Sequence, residues 1–253
     1  ADVRPCSNGL IAVGSEHTQL TWMDAEVNSK PVTPRHGLAV ELNALWYNAI
    51  CFYNELTDGT DSRFVTLAGK VQSAFSDVFW LPERQCLADV VHEWGPDLAI
   101  RPNQIFAASV PHSPLNDNQI RQVVSRVRND LVTPYGLRTL SPEHHMYVSH
   151  YRGDANQRDS CYHQGTVWPW LMGAYVEASL RVATNKQMVA RQLLDEFEPL
   201  FEQHPLEAAL FTFSEIFDAE MPHDPKGTVS QAWSVAEVIR ARHLIAEALK
   251  EDE

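Results

Sequence analysis

The strongest constraint on this chain is an alternation. Apolar residues recur at helical spacing, and between those stretches lie long connections rich in Trp, Tyr, Arg and His. The stretch 18–49, TQLTWMDAEVNSKPVTPRHGLAVELNALWYNA, sets the pattern. A Trp–Met–Asp triplet is followed by a loop that closes on Thr33, Pro34 and Arg35. From Leu38 onward, Leu42, Leu45, Trp46, Ala49 and Ile50 then fall at helical spacing. Glu41, Asn43 and Asn48 interrupt the apolar stripe, so polar groups line the start of this helix. A carboxyl such as Asp24, two residues from Trp22, suits a sugar-binding acid site. An aromatic face stacks on a sugar ring and excludes water, and a poorly solvated carboxyl keeps its proton.

The same periodicity predicts helices over about 37–56, 62–79, 102–110, 117–131, 167–183, 186–203 and 228–249. Residues 1–36 read as irregular apart from the short apolar run Leu10–Val13. CLADVV (86–91) reads as a short strand or extended crossing. The turn at Asp58-Gly59 and the pair Gly95-Pro96 punctuate the chain. Two long polar connections, 132–165 and 204–227, show little periodicity, and loops of that length are commonly functional. About seven helices with almost no strand predict an all-α domain of antiparallel helix hairpins whose long loops share one rim. No internal repeat supports a solenoid instead.

Composition narrows the function. With 44% hydrophobic and 21% charged residues the chain can bury a large core, and its formal charge of -13 disfavours nucleic acid and anionic membranes. Four cysteines (Cys6, Cys51, Cys86, Cys161) form no ligand spacing and read as reduced thiols, which makes the cytoplasm the default location. His144-His145 lacks further ligands at helical spacing, so no metal is expected. Neither a Gly-rich phosphate loop nor a GxSxG elbow occurs.

The long loops and helix starts do gather Trp22, Asp24, Arg101, Asn103, Gln104, Tyr135, Arg138, Arg152, Asp154, His163, Gln164, Trp168, Trp170, Glu215, Asp218, Gln231 and Trp233. Amides, Arg and Trp describe a neutral polyhydroxylated ligand better than a phosphate. Asp24 and Glu215, each flanked by apolar or aromatic neighbours, suit paired acid/base glycoside hydrolysis.

Eight motifs then occur in order: TWMDA (21–25), PVTPRHG (31–37), ELNALWYNA (41–49), IRPNQIFA (100–107), LVTPYGLRTLSP (131–142), YHQGTVWPW (162–170), SEIFD (214–218) and QAWSVAE (231–237). Together they resemble the C-terminal amylo-α-1,6-glucosidase domain of glycogen debranching enzymes, over about residues 8–242. The resemblance implies an (α/α)6 toroid and removal of α-1,6-linked glucose from branched α-glucan (glycogen, limit dextrin), with inversion and without a cofactor. It implies Asp24 as general acid and Glu215 as general base. It places Trp22, Arg101, Asn103, Gln104, His163, Gln164, Trp168, Gln231 and Trp233 in motifs that line the sugar site. For inversion the two carboxyls stand roughly 6.5–9.5 Å apart.

A full toroid needs twelve helices, so residues 1–253 read as a partial domain whose ring is completed by a missing N-terminal half or by self-association. The alternatives are a glucoamylase-like exo-α-glucosidase and a non-catalytic glucan-binding remnant.

Overall fold

The computed structural model describes residues 2–208 and 210–250. The chain forms two compact units, residues 1–126 and 127–253.

In the first unit, helix α1 (Val40–Leu56) packs against α2 (Ser62–Phe79) and α3 (Gln104–Ser109). Helix α4 (Asp117–Leu131) begins in this unit and runs across the boundary. The apolar stripe expected on α2 is the one it buries: Val71, Phe75 and Phe79 are fully covered, and the last two rings meet at 4.7 Å. Each such side chain contributes about 1.5–3 kcal/mol on leaving water. Asp61 caps α2 by accepting from the Arg63 N–H at 3.1 Å, satisfying a donor with no partner inside the helix.

Residues 1–36, expected to be irregular, are instead tied down by short antiparallel hairpins: Val3–Pro5 with Ile11–Val13, and Glu26–Val27 with Lys30–Pro31. A three-stranded sheet joins Leu38–Ala39, Val90–His92 and Gly95–Pro96. The extended reading of 86–91 therefore holds, as Cys86–Leu87 pairs with Trp80–Leu81 and Val90 opens the next strand. The polar interruptions of α1 work inside the fold. Asn43 exchanges hydrogen bonds with the backbone of Ile11 at 2.8 and 3.0 Å, standing in for a strand neighbour.

The second unit contains α5 (Ala155–Cys161), α6 (Met172–Arg181), α7 (Lys186–Glu196), α8 (His204–Glu207) and α9 (Ala232–Lys250). Helix α9 packs on α6 and α7, and Arg240 of α9 bonds both Glu237 and Glu177. Three expected helices are shorter than the apolar pattern suggests. Val167–Trp168 is strand, leading through a 3-10 turn (Pro169–Leu171) into α6. Helix α7 stops at Glu196, and Pro199, which has no N–H to donate, opens a π-helical turn to Gln203. Helix α9 begins at Ala232 rather than near Thr228.

The expectation of almost no strand is corrected here. Val132–Thr133, Gly136–Arg138, Val167–Trp168, Ile216–Phe217 and Pro225–Lys226 form a five-stranded antiparallel sheet in that spatial order. The described residues are thus nearly half helical, with short strands between the helices. Strands of two or three residues are too short to show a period-2 pattern. The polar connection 132–165 likewise holds two of these strands and α5. No helix of the described residues is long and apolar enough to cross a membrane.

Candidate active site

The first unit assembles one cluster of the expected residues. The loop Thr21–Ala25 buries Met23 and Ala25 while the intervening Asp24 is exposed, so the expectation of a poorly solvated carboxyl is not met in this state. Trp22 is half-buried, and its indole Nε1–H donates to Asn103 Oδ1 at 2.6 Å. Asn103 in turn donates to Asp89 Oδ1 at 2.7 Å, and its Nδ2 lies 3.6 Å from Met23 Sδ. The Asp24 loop is therefore pinned just ahead of Asp24, at Trp22 and Met23, by one fully buried amide.

Asp89 is the hub of this cluster. Its carboxylate receives Arg35 Nε at 2.7 Å and lies 4.0 Å from Arg101 Nε. Arg35 also forks onto both oxygens of buried Glu41. Burial opposes the Arg35 charge, but Asp89 and Glu41 outweigh it and hold the guanidinium above its ordinary pKa. Arg101 feels the reverse balance: burial pulls its pKa down, and Asp89 only partly offsets this. Gln104 spends its amide on the backbone, accepting from Leu87 N at 3.3 Å and donating to Arg101 O at 3.1 Å. It positions Arg101.

The second unit assembles the other cluster around Glu215, which is 8% exposed. Strand Ile216–Phe217 pairs with Val167 on one side and with Pro225–Lys226 on the other, so SEIFD is held as part of a sheet. Glu215 Oε1 accepts from the Tyr162 hydroxyl, and Oε2 accepts from Thr228 N at 2.7 Å. Gly227 roofs the carboxyl: it sits at φ +67°, and a Cβ there would run into Glu215 Oε2. Behind the loop, Ser214 N donates to His204 Nε2 at 3.2 Å. Burial drives the pKa of His204 down to about 4, so its imidazole stays a neutral acceptor.

Tyr162 joins this carboxylate to an aromatic layer. His163 is buried between Tyr162 and Trp168, with ring centroids at 4.8 and 5.4 Å. Tyr162 meets Trp168 edge-on at 5.0 Å. Trp233 stacks on Trp170 at 4.8 Å, their planes 8° apart, and turns its edge to Trp168. Gln164 is buried and its backbone carbonyl receives Val148 N; Gln231 is half-buried and its N–H donates to Phe213 O.

The eleven expected site residues thus fall into two groups, each coherent within its own unit. Sequence reasoning missed Arg35, Glu41, Asp89, Tyr162, His204 and Gly227. Arg35 and Glu41 lay inside quoted motifs, and Tyr162 stands next to His163. The other three carried no signal, since a lone Asp, His or Gly in a connection is unremarkable.

Comparisons with known proteins show the family and the fold. The family described as amylo-alpha-1,6-glucosidase matches residues 4–240. The chain belongs to the amylo-alpha-1,6-glucosidase family. It is 27% identical over 218 residues to the glycogen debranching enzyme of Saccharomyces cerevisiae, covering 68% of this chain and 14% of that enzyme. Its fold is shared with the mannosylglycerate hydrolase of Thermus thermophilus at a TM-score of 0.54 and 15% identity, over 87% of this chain and 49% of that one. It is also shared with the neutral trehalase of Saccharomyces cerevisiae at a TM-score of 0.57 and 16% identity, over 83% and 40%. The chain spans under half the length of these proteins. It is a member of a glycoside hydrolase family, and Asp24 and Glu215 both lie inside the matched segment.

Proposed function

We propose that this chain carries the acid/base centre of an inverting amylo-α-1,6-glucosidase on an (α/α)6 toroid. The observation that carries the reading is the setting of Glu215, a nearly buried carboxylate with each oxygen hydrogen-bonded and an aromatic layer beside it. In the proposed reaction Asp24 donates its proton to O6 of the glucan as the C1–O6 bond breaks. Glu215 takes a proton from a water whose oxygen bonds to C1 on the opposite face. The products are free glucose and a linear glucan, and the two carboxyls exchange protonation states with water between turnovers. The roles of Trp22 and Arg101 are to orient the glucosyl stub, with Asn103 and Asp89 holding both in place.

One observation favours a second reading. Asp24 is exposed, so the protein does not enclose the side chain proposed as the acid. A glucan-binding module without turnover would fit that state.

The test is glucose release from a glucan trimmed to single α-1,6-glucosyl stubs, with Asp24→Asn and Glu215→Gln as controls. Release by the parent chain and by neither variant is expected. Glucan binding with no release from the parent would establish the binding module instead. Release that survives either substitution would remove that carboxyl from its role.

A further inference from the structure

A second feature of the first unit belongs to neither cluster. The tip of the Val90–Pro96 hairpin, together with residues 4–16, encloses a cavity of about 590 Å³, within the range of about 300–1,000 Å³ usual for small-ligand sites. Arg4, Ser15, Glu16, His36, His92 and Trp94 line it. None of them belongs to the Asp24, Arg101 and Asn103 cluster.

Three rings in this cavity form a braced platform. His92 and Trp94 stack at 4.4 Å with planes 8° apart. His36 supports both, at 4.9 Å from His92 and edge-on to Trp94 at 5.4 Å. Trp94 is nevertheless 74% exposed. One indole face is covered by His92 and the rest is left in water, although burying a large aromatic would contribute several kcal/mol. Gly37 lets this assembly close: at φ +104° it brings the chain against the hairpin, where a Cβ would meet Val91 O at 2.6 Å.

The polar chemistry around the platform selects a ligand. The buried Nδ1 atoms of His36 and His92 find no hydrogen-bond partner, which leaves polar atoms unsatisfied beneath the platform. Burial, with His36 close by, holds His92 below its ordinary pKa, so its ring is neutral. Glu16 and Glu93 stand against Arg4 alone among the charged lining, which disfavours phosphate or another anion. Among the described residues no three His, Cys, Asp or Glu converge as metal ligands. A flat aromatic face, the neutral imidazole of His92 and a mixed-charge rim suit a neutral ring with C–H faces and hydroxyl edges.

We infer that the His36–His92–Trp94 platform is an accessory sugar-binding site, on which a pyranose ring of an α-glucan chain stacks on the open face of Trp94 while Arg4 and Glu16 at the rim meet its hydroxyls. The choice of α-glucan rests on the proposed function; the platform itself does not. The site anchors a large glucan away from the reacting bond. Its loss weakens binding of polymer but leaves the turnover of a short substrate alone.

The experiment is affinity electrophoresis of the chain in gels of soluble glycogen, with maltoheptaose titrations read by fluorescence, for the parent, Trp94→Ala and His92→Ala. Far-UV circular dichroism checks that each variant is folded; Trp94 sits exposed at a hairpin tip, so its removal should not disturb the core. Trp94→Ala is expected to weaken glycogen retardation at least about fivefold, one stacked aromatic being worth about 1 kcal/mol or more. Glucose release from a short α-1,6-stub substrate should stay within twofold of the parent. Retardation unchanged in both variants would overturn the accessory site, whatever the activity. Trp94-dependent retardation without glucose release from the parent would uphold the site and sink the debranching reading. A parent that neither releases glucose nor is retarded would overturn both.

Discussion

The two proposed catalytic carboxyls are held in opposite ways. Asp24 is exposed, while the residues on either side of it are buried and its loop is pinned through Trp22 and Met23 to Asn103. Glu215 is itself buried, adjoins a strand of a five-stranded sheet, and has both oxygens bonded, to Tyr162 and Thr228. A base that activates water must keep a fixed aim, and two hydrogen bonds under a glycine roof provide that. An acid must recover its proton from solvent after each turnover, and an exposed side chain on a pinned backbone allows it. Bound glucan then has to supply the desolvation that the protein does not. In the proposed mechanism this contrast makes the Glu215 side the preorganised half of the chemistry and the Asp24 side the half completed by substrate.

This comparison can be broken at several points. The largest effect is expected from Glu215→Gln, which removes the base without changing shape. The rate of glucose release should fall about 10²–10⁴-fold, with the thermal midpoint within a few degrees of the parent by calorimetry. Gly227→Ala should come next. The new methyl group meets the carboxylate at a positive φ, so Glu215 must move. We expect a stability loss of about 1–3 kcal/mol, read by urea unfolding, and a fall in kcat larger than any change in KM. A Gly227→Ala chain with parental kcat would show that the roof does not aim the base.

Tyr162→Phe isolates the hydrogen bond alone. Without the donor one carboxylate oxygen loses its fixed partner, so kcat should fall roughly tenfold with KM little changed. An unchanged kcat would assign Tyr162 to packing only.

The smallest effect concerns His204. Its folded pKa of about 4 lies below the ordinary histidine value of 6.5. Between those values the unfolded chain takes up a proton that the native state refuses, so stability falls as pH drops from about 6.5 toward 4, by at most about 3 kcal/mol. His204→Gln should flatten that part of the curve of thermal midpoint against pH. A parental slope would show that other groups carry it.

What was legible in the sequence follows from signal length. Helices α2 and α4 begin and end where periodicity and turn chemistry place them, because each offers about four turns of pattern and a clear boundary. Helix α5 escaped, being only seven residues long and mostly polar, although Asp154 and Gln157 form a reciprocal capping box that its sequence does spell out. The sheet beside Glu215 escaped because two-residue strands have no pattern of their own; their partners lie tens of residues away, as Val167 and Phe217 do. The two proposed carboxyls stand in motifs that the sequence itself singles out. The groups that hold them, Asp89 for one cluster and Tyr162 with Gly227 for the other, act through contacts that no spacing announces.

The most direct measurement is the anomeric form of the first glucose released from an α-1,6-glucosyl stub, followed by proton NMR before mutarotation sets in. With Asp24 as acid and Glu215 directing a water to the opposite face, the parent chain should release β-glucose first, and Glu215→Gln should release none. α-Glucose as the first product, or no glucose from the parent chain at all, would contradict the account.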